Sequence, residues 1–217
     1  MKRILKICFG DARSAFDGIK EPTPIWLPAL FVLVCLTFAF LILEGIAALI
    51  VLWTEIRGDE SDWTGVWLQL GHLLIQTTPF ILLSVVFLCL WWVLTATYYF
   101  VIARLFNIRI LWRNWFGFSC WSSIPLVMVP IFLVLAFAVQ TVSIPGREVD
   151  PWYIELTSAC LLALPFIWCA RVSALGLRSW TEDAGRGMFY WRLVAIVPYI
   201  SLLLAFLMSI TWLLRLI

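Results

Sequence analysis

The chain has 217 residues, of which 64% are hydrophobic and 13% charged; 14 residues are tryptophan and the formal net charge is +2. Soluble domains carry about a quarter charged residues, so this balance excludes an ordinary water-solvated globule and the chain is read for bilayer spans first. The small net charge, without a basic run, gives no support to a nucleic-acid partner.

In chain order, the first element is a short amphipathic helix. Leu5, Phe9, Ala12, Phe16 and Ile19 recur at alternating steps of four and three, which places them on one helical face. Lys2, Lys6, Arg13, Asp17 and Lys20 take the other faces, so the segment reads as a helix lying in the membrane interface. Lys6 and Asp11 interrupt its apolar patch and no small-residue cleavage site follows, which argues against a cleaved signal peptide. Glu21-Pro22-Thr23-Pro24 ends it, giving an interfacial element over 1–24 and a membrane domain over 25–217.

Five apolar segments follow, at about 26–53, 75–103, 121–142, 157–177 and 189–214. Roughly 20 helical residues cross the hydrocarbon core, so each is a candidate span and the expected fold is an all-α, five-span membrane protein. The fourth is the shortest: its charge-free part, Leu156–Ala170, spans only if Arg171 snorkels to the interface. In the entry to the third, Trp112, Trp115 and Trp121 read as an interfacial aromatic belt, and so do Tyr98 and Tyr99 at the end of the second. Pro125 falls where a span begins and is tolerated there; Pro130 lies deeper and is expected to kink the helix, for packing or as a hinge.

Lysine and arginine counts orient the chain. With the N-terminus inside, twelve of the 15 basic residues fall on the cytoplasmic side, and only Arg57, Arg147 and Arg215 fall outside. The C-terminus is then external, as an odd number of spans requires.

Few residues offer chemistry. Glu44 is the one acid well inside an expected span, and an intramembrane charge is a functional candidate. His72, Gln76 and Gln140 fall at a similar outer depth, so this group either ties helices together or relays a proton or cation. His72 itself reads as a loop residue, either solvated or pH-sensing. Arg171, Arg178 and Arg186 border the last cytoplasmic connection, where they could contact anionic headgroups or an acidic partner, or simply obey the positive-inside rule. Small residues at Ala170, Ser173, Ala174 and Gly176 suit close helix packing. Six cysteines, scattered without a CxxC spacing or a histidine partner, support neither a zinc site nor a disulfide framework and read as small buried hydrophobes. Ser122 and Ser123 lack a neighbouring base, and no nucleophile or phosphate-loop motif occurs, so neither catalytic residues nor a cofactor or metal site is expected.

Three stretches carry a family likeness. FGDARSAFDGIKEPTPIWLPAL joins a short amphipathic helix through a proline-bearing break to a first span; NWFGFSCWSSIPLV enters the third; IWCARVSALGLRSWT and FYWRLVAIVPYI form the last two and their turn. In order and spacing they resemble the YIP membrane proteins, named for interaction with Ypt/Rab GTPases, in their short prokaryotic form. The resemblance implies a bacterial inner-membrane protein without catalytic residues. It implies a scaffold or interaction role toward membrane lipids, a membrane-protein partner or further copies of itself. Eukaryotic members carry a longer cytoplasmic N-terminal region. The alternative is a small transporter or channel for an ion or lipid, using Glu44.

Overall fold

A computed structural model describes residues 7, 12–17, 24–56, 63–141, 151–181, 185 and 187–214, with side chains for part of them. Helix α1 is Ala12–Asp17, α2 Trp26–Ile56, α3 Trp63–Leu105 and α4 Trp112–Ser122. A 3₁₀ segment, Ile124–Met128, leads into α5, Val129–Thr141; α6 is Pro151–Trp180 and α7 Met188–Leu214. Among the described residues there is no strand.

Among the described residues, four helical stretches are long and apolar enough to cross a membrane: Val85–Leu105, Trp112–Val139, Trp152–Trp180 and Met188–Ala205. A shorter apolar helix covers Trp26–Ala39. Their outer faces display Val86, Leu90, Leu94 and Val101 on α3, and Leu193, Val197, Ile200 and Leu204 on α7, all exposed. Apolar area on that scale is stable only against lipid. The molecule is a multi-pass membrane protein. Arg171 is exposed on α6, whose apolar helix continues past it to Trp180.

The chain divides into two compact units, residues 33–90 and the remainder. In the second of these, α6 is the common partner: α1, α4, the 3₁₀ segment, α5 and α7 all pack on it. The small residues read as a packing stripe are where this happens, and Ser173, Ala174 and Gly176 are buried. A Cβ on Gly176 would lie 2.6 Å from Phe118 Cε2 and 2.9 Å from the Phe16 ring. Hydrogen at that position is therefore what lets α1 and α4 seat against α6 together.

Helix ends follow from local chemistry. Asn107 takes φ 59°, and the Ile108 N–H bonds the Ala103 carbonyl at 2.9 Å while the Asn107 N–H bonds that of Arg104 at 3.1 Å. This is a Schellman cap with asparagine at the left-handed position. At the end of α4 the serines supply the stop: Ser122 Oγ and Ser123 Oγ both donate to the Ser119 carbonyl, at 3.1 and 2.7 Å. Such hydroxyls compete with the helical ladder. Pro125 then opens the 3₁₀ segment and Pro130 is the second residue of α5, so both occupy opening turns where a missing N–H is harmless. Prolines inside helices include Pro165 of α6 and Pro198 of α7.

Several expectations are corrected. Trp115 and Trp121 are fully buried, not interfacial: the Trp115 ring packs on Trp180, and the Trp121 indole nitrogen bonds the Pro24 carbonyl. Tyr99 is buried as well. His72 belongs to α3 and not to a loop. Cys120 and Cys169 are buried, whereas Cys89 and Cys160 are exposed, on outer faces where a thiol serves as a small apolar group.

Because the Gly176 hydrogen faces two rings, Gly176→Ala should destabilise the detergent-solubilised protein by about 1–3 kcal/mol, from forced repacking. Gly187→Ala, at a position with open space around it, should leave the thermal midpoint unchanged.

Candidate functional site

One end of the second unit gathers the ends of several helices. Phe16 of α1, Tyr99 of α3, Trp115 and Phe118 of α4 and Trp180 of α6 form a continuous ring cluster. Centroids stand 5.0 Å apart for Phe16–Phe118, 4.9 Å for Phe118–Trp180, 5.3 Å for Trp115–Trp180 and 5.5 Å for Tyr99–Phe118. These spacings suit offset and edge-on aromatic packing. The apolar face expected of the first helix is present, with Ala12, Ala15 and Phe16 buried, and α6 lies against it. Polar contacts fix its register: Trp180 Nε1 donates to the Phe16 carbonyl at 3.1 Å, and Ser179 Oγ donates to Asp17 Oδ1. Trp121 Nε1 reaches the Pro24 carbonyl at 2.9 Å, which ties the approach to α2 onto α4.

Beside the rings runs a buried hydroxyl chain. Ser173 Oγ of α6 donates to Tyr199 Oη of α7 at 3.0 Å, and Tyr199 Oη lies 3.0 Å from Ser122 Oγ of α4. Ser122 donates its own proton to the Ser119 carbonyl. Tyr199 must therefore donate to Ser122, and the chain runs one way from α6 through α7 to α4. Aligned hydroxyls polarise one another, which favours such a chain in a medium without water. Tyr99 Oη faces Ser173 but makes no hydrogen bond of good geometry.

Tyr98 has a separate role. It donates to the Val194 carbonyl at 3.2 Å, and Val194 precedes Pro198 by four residues. That is the carbonyl from which proline removes the helical partner, so a side chain of α3 replaces the lost ladder bond of α7.

Chemically, the arrangement joins helices. The buried polar residues described are serine, threonine and asparagine, with no charged group among them. Among the described residues no group of three His, Cys, Asp or Glu is placed to hold a metal.

The expected site residues fall on the following elements. Glu44 lies in α2, His72 and Gln76 in α3 and Gln140 in α5, with side chains outside the described residues. Arg171 and Arg178 are exposed seven residues apart on one face of α6, and Arg186 lies outside the described residues. Pro125 and Pro130 border the 3₁₀ break next to Ser122. Sequence reasoning missed Tyr98, Ser173 and Tyr199 as bonded partners. A proline deep in the last apolar segment was the available signal, because it orphans a carbonyl four residues earlier.

A double-mutant cycle separates the Tyr98 bond from mere packing. Tyr98→Phe should cost about 0.5–1.5 kcal/mol in the parent protein. In a Pro198→Ala background, where the helix recovers its own bond, the same change should cost close to nothing by thermal unfolding in detergent.

The Yip1 domain family model matches residues 11–214, which takes in α1 and every helix after it. No curated protein and no solved structure matches the chain. With nearly the whole length under one family model, the chain belongs to the Yip1 domain family.

Proposed function

We propose that this Yip1-domain protein is a non-enzymatic scaffold of five spans in a bacterial inner membrane, engaging anionic lipid and membrane partners through its arginine-bearing end. The observation that carries the reading is the separation of polar groups. The buried serines of the helix core are spent on contacts within the chain, whereas Arg104, Arg109, Arg113, Arg178 and Arg192 are exposed. These arginines belong to the end of α3, the connection after it, the start of α4, the end of α6 and the start of α7. The ring cluster gathers α3, α4 and α6 at this end, and Phe106 after α3 meets Tyr190 and Trp191 at the start of α7. Guanidinium groups at the level of lipid headgroups attract anionic lipid by about 1 kcal/mol each. The same arginines support a cytoplasmic setting for this end and for α1. The short apolar helix Trp26–Ala39 is the start of the proposed first span, which adds to the four longer ones.

Two measurements test it. Leu111→Cys, at an exposed position between Arg109 and Arg113, should resist an impermeant thiol reagent in intact cells and react after permeabilisation; labelling from outside overturns the orientation. Neutralising Arg109, Arg113 and Arg178 to Gln together should reduce retained phosphatidylglycerol relative to phosphatidylethanolamine by roughly tenfold or more after detergent extraction. Unchanged lipid retention, with the fold intact, would remove lipid contact from the proposal.

A further inference from the structure

Elsewhere in this unit, burial and hydrogen bonding go together. Ser119, Ser122, Ser123, Ser158, Ser173, Ser179 and Thr181 are buried, and each hydroxyl is bonded. The indoles of Trp121 and Trp180 are bonded too. Against that background, five buried polar side-chain atoms among the described residues have no hydrogen-bond partner: Trp91 Nε1, Trp92 Nε1, Thr95 Oγ1, Tyr99 Oη and Trp115 Nε1. Their residues are 9%, 1%, 2%, 1% and 0% exposed respectively.

These atoms are not dispersed. Trp92, Thr95 and Tyr99 follow one another at steps of three and four on one face of α3, with Trp91 four residues before Thr95. The ring of Tyr99 stands 6.2 Å from that of Trp115, which brings the fifth donor from α4 to the same end of the column. From Trp91 to Tyr99 the column is about 12 Å long. It lies within the apolar helical stretch Val85–Leu105 and runs toward its Arg104 end, with its polar atoms shut off from solvent, so bulk water does not compensate an unpaired group.

We propose that this column binds the carbonyl oxygens of a neutral, lipid-soluble molecule. Three of the five atoms are indole N–H groups, which can only donate, so the guest must present an acceptor. No charged residue is among the buried residues described, so no counter-ion is provided and the guest is uncharged. The rings of Tyr99, Trp115 and Phe118 supply apolar surface beside these polar groups. The ester carbonyl of a diacylglycerol and the ring carbonyl of a benzoquinone share this chemistry.

The test uses the full chain in detergent, with unfolding followed by circular dichroism and with dioleoylglycerol or decyl-benzoquinone added separately. A hydrocarbon of equal bulk without a carbonyl is the control. The expected result is a rise in thermal midpoint of roughly 5–10 °C at saturation with one of the two carbonyl probes and none with the hydrocarbon. Whichever probe acts identifies the source of the carbonyl. Thr95→Val and Tyr99→Phe, which keep side-chain shape and delete an unpaired oxygen, should hold or raise the ligand-free midpoint and at least halve the ligand-induced rise. Tyr99→Phe alone decides the matter if Thr95→Val does not fold. The proposal is overturned if neither probe raises the midpoint or if the hydrocarbon does so equally. It is also overturned if the variants keep the full rise while lowering the ligand-free midpoint.

Discussion

The close approach at Gly176 governs the unit built on α6. Two phenylalanines from different helices, Phe16 and Phe118, both lie where a methyl group on that residue would intrude. In a bilayer the apolar effect between helices is weak, because lipid is as apolar as leucine; shape and interhelical hydrogen bonds carry association instead. A glycine in the hub helix therefore does more here than added apolar area would. It admits Phe118, Phe118 contacts Tyr99, Trp115 and Trp180, and those rings bring α1, α3, α4 and α6 to one end. The attachment of α3 runs through long aromatic side chains, with Tyr98 and Tyr99 reaching across to α7 and α4.

Backbone breaks and side-chain hydroxyls balance each other across the same region. Proline in α7 frees a carbonyl and Tyr98 occupies it. Serines in α4 end the helix by bonding back to Ser119, and one of them then joins α6 and α7 through Tyr199. A hydrocarbon environment explains both patterns, since a polar group there has no water to fall back on. It also explains why the five unpaired donors around α3 point to a guest molecule when the other buried hydroxyls are satisfied within the chain.

Much of the fold was legible because lipid selects on long-range composition. The apolar runs marked the membrane helices, and the step of three and four in the first residues marked the buried face of α1, of which Ala12 and Phe16 are described. The family likeness lay in the proline-bearing break, the serine-proline entry and the final pair of apolar runs, and the family model covers the same stretch. What composition could not separate was a tryptophan at the membrane interface from one in the protein interior. Trp115 sits two residues from Arg113, as a belt residue does, and Trp121 follows on the same helix, yet tertiary partners bury both. The site was less legible still. Ser122, Ser173 and Tyr199 meet only because three helices converge, and no spacing within one segment encodes that. Proline positions were readable, but their effect depended on whether an opening turn or an interior turn received them. Pro130 fell in the first kind and Pro198 in the second.

The central claim is that α1 is an integral part of the bundle, held by Phe16, by the Trp180 bond to its carbonyl and by Ser179 on Asp17. Amide hydrogen exchange on the full chain in lipid nanodiscs tests it most directly. Docking predicts that the amides of Ala12–Asp17 exchange as slowly as those at the Trp180 end of α6, and that Gly176→Ala accelerates both together. Rapid exchange over α1 in the parent protein, with the end of α6 still protected, would contradict it.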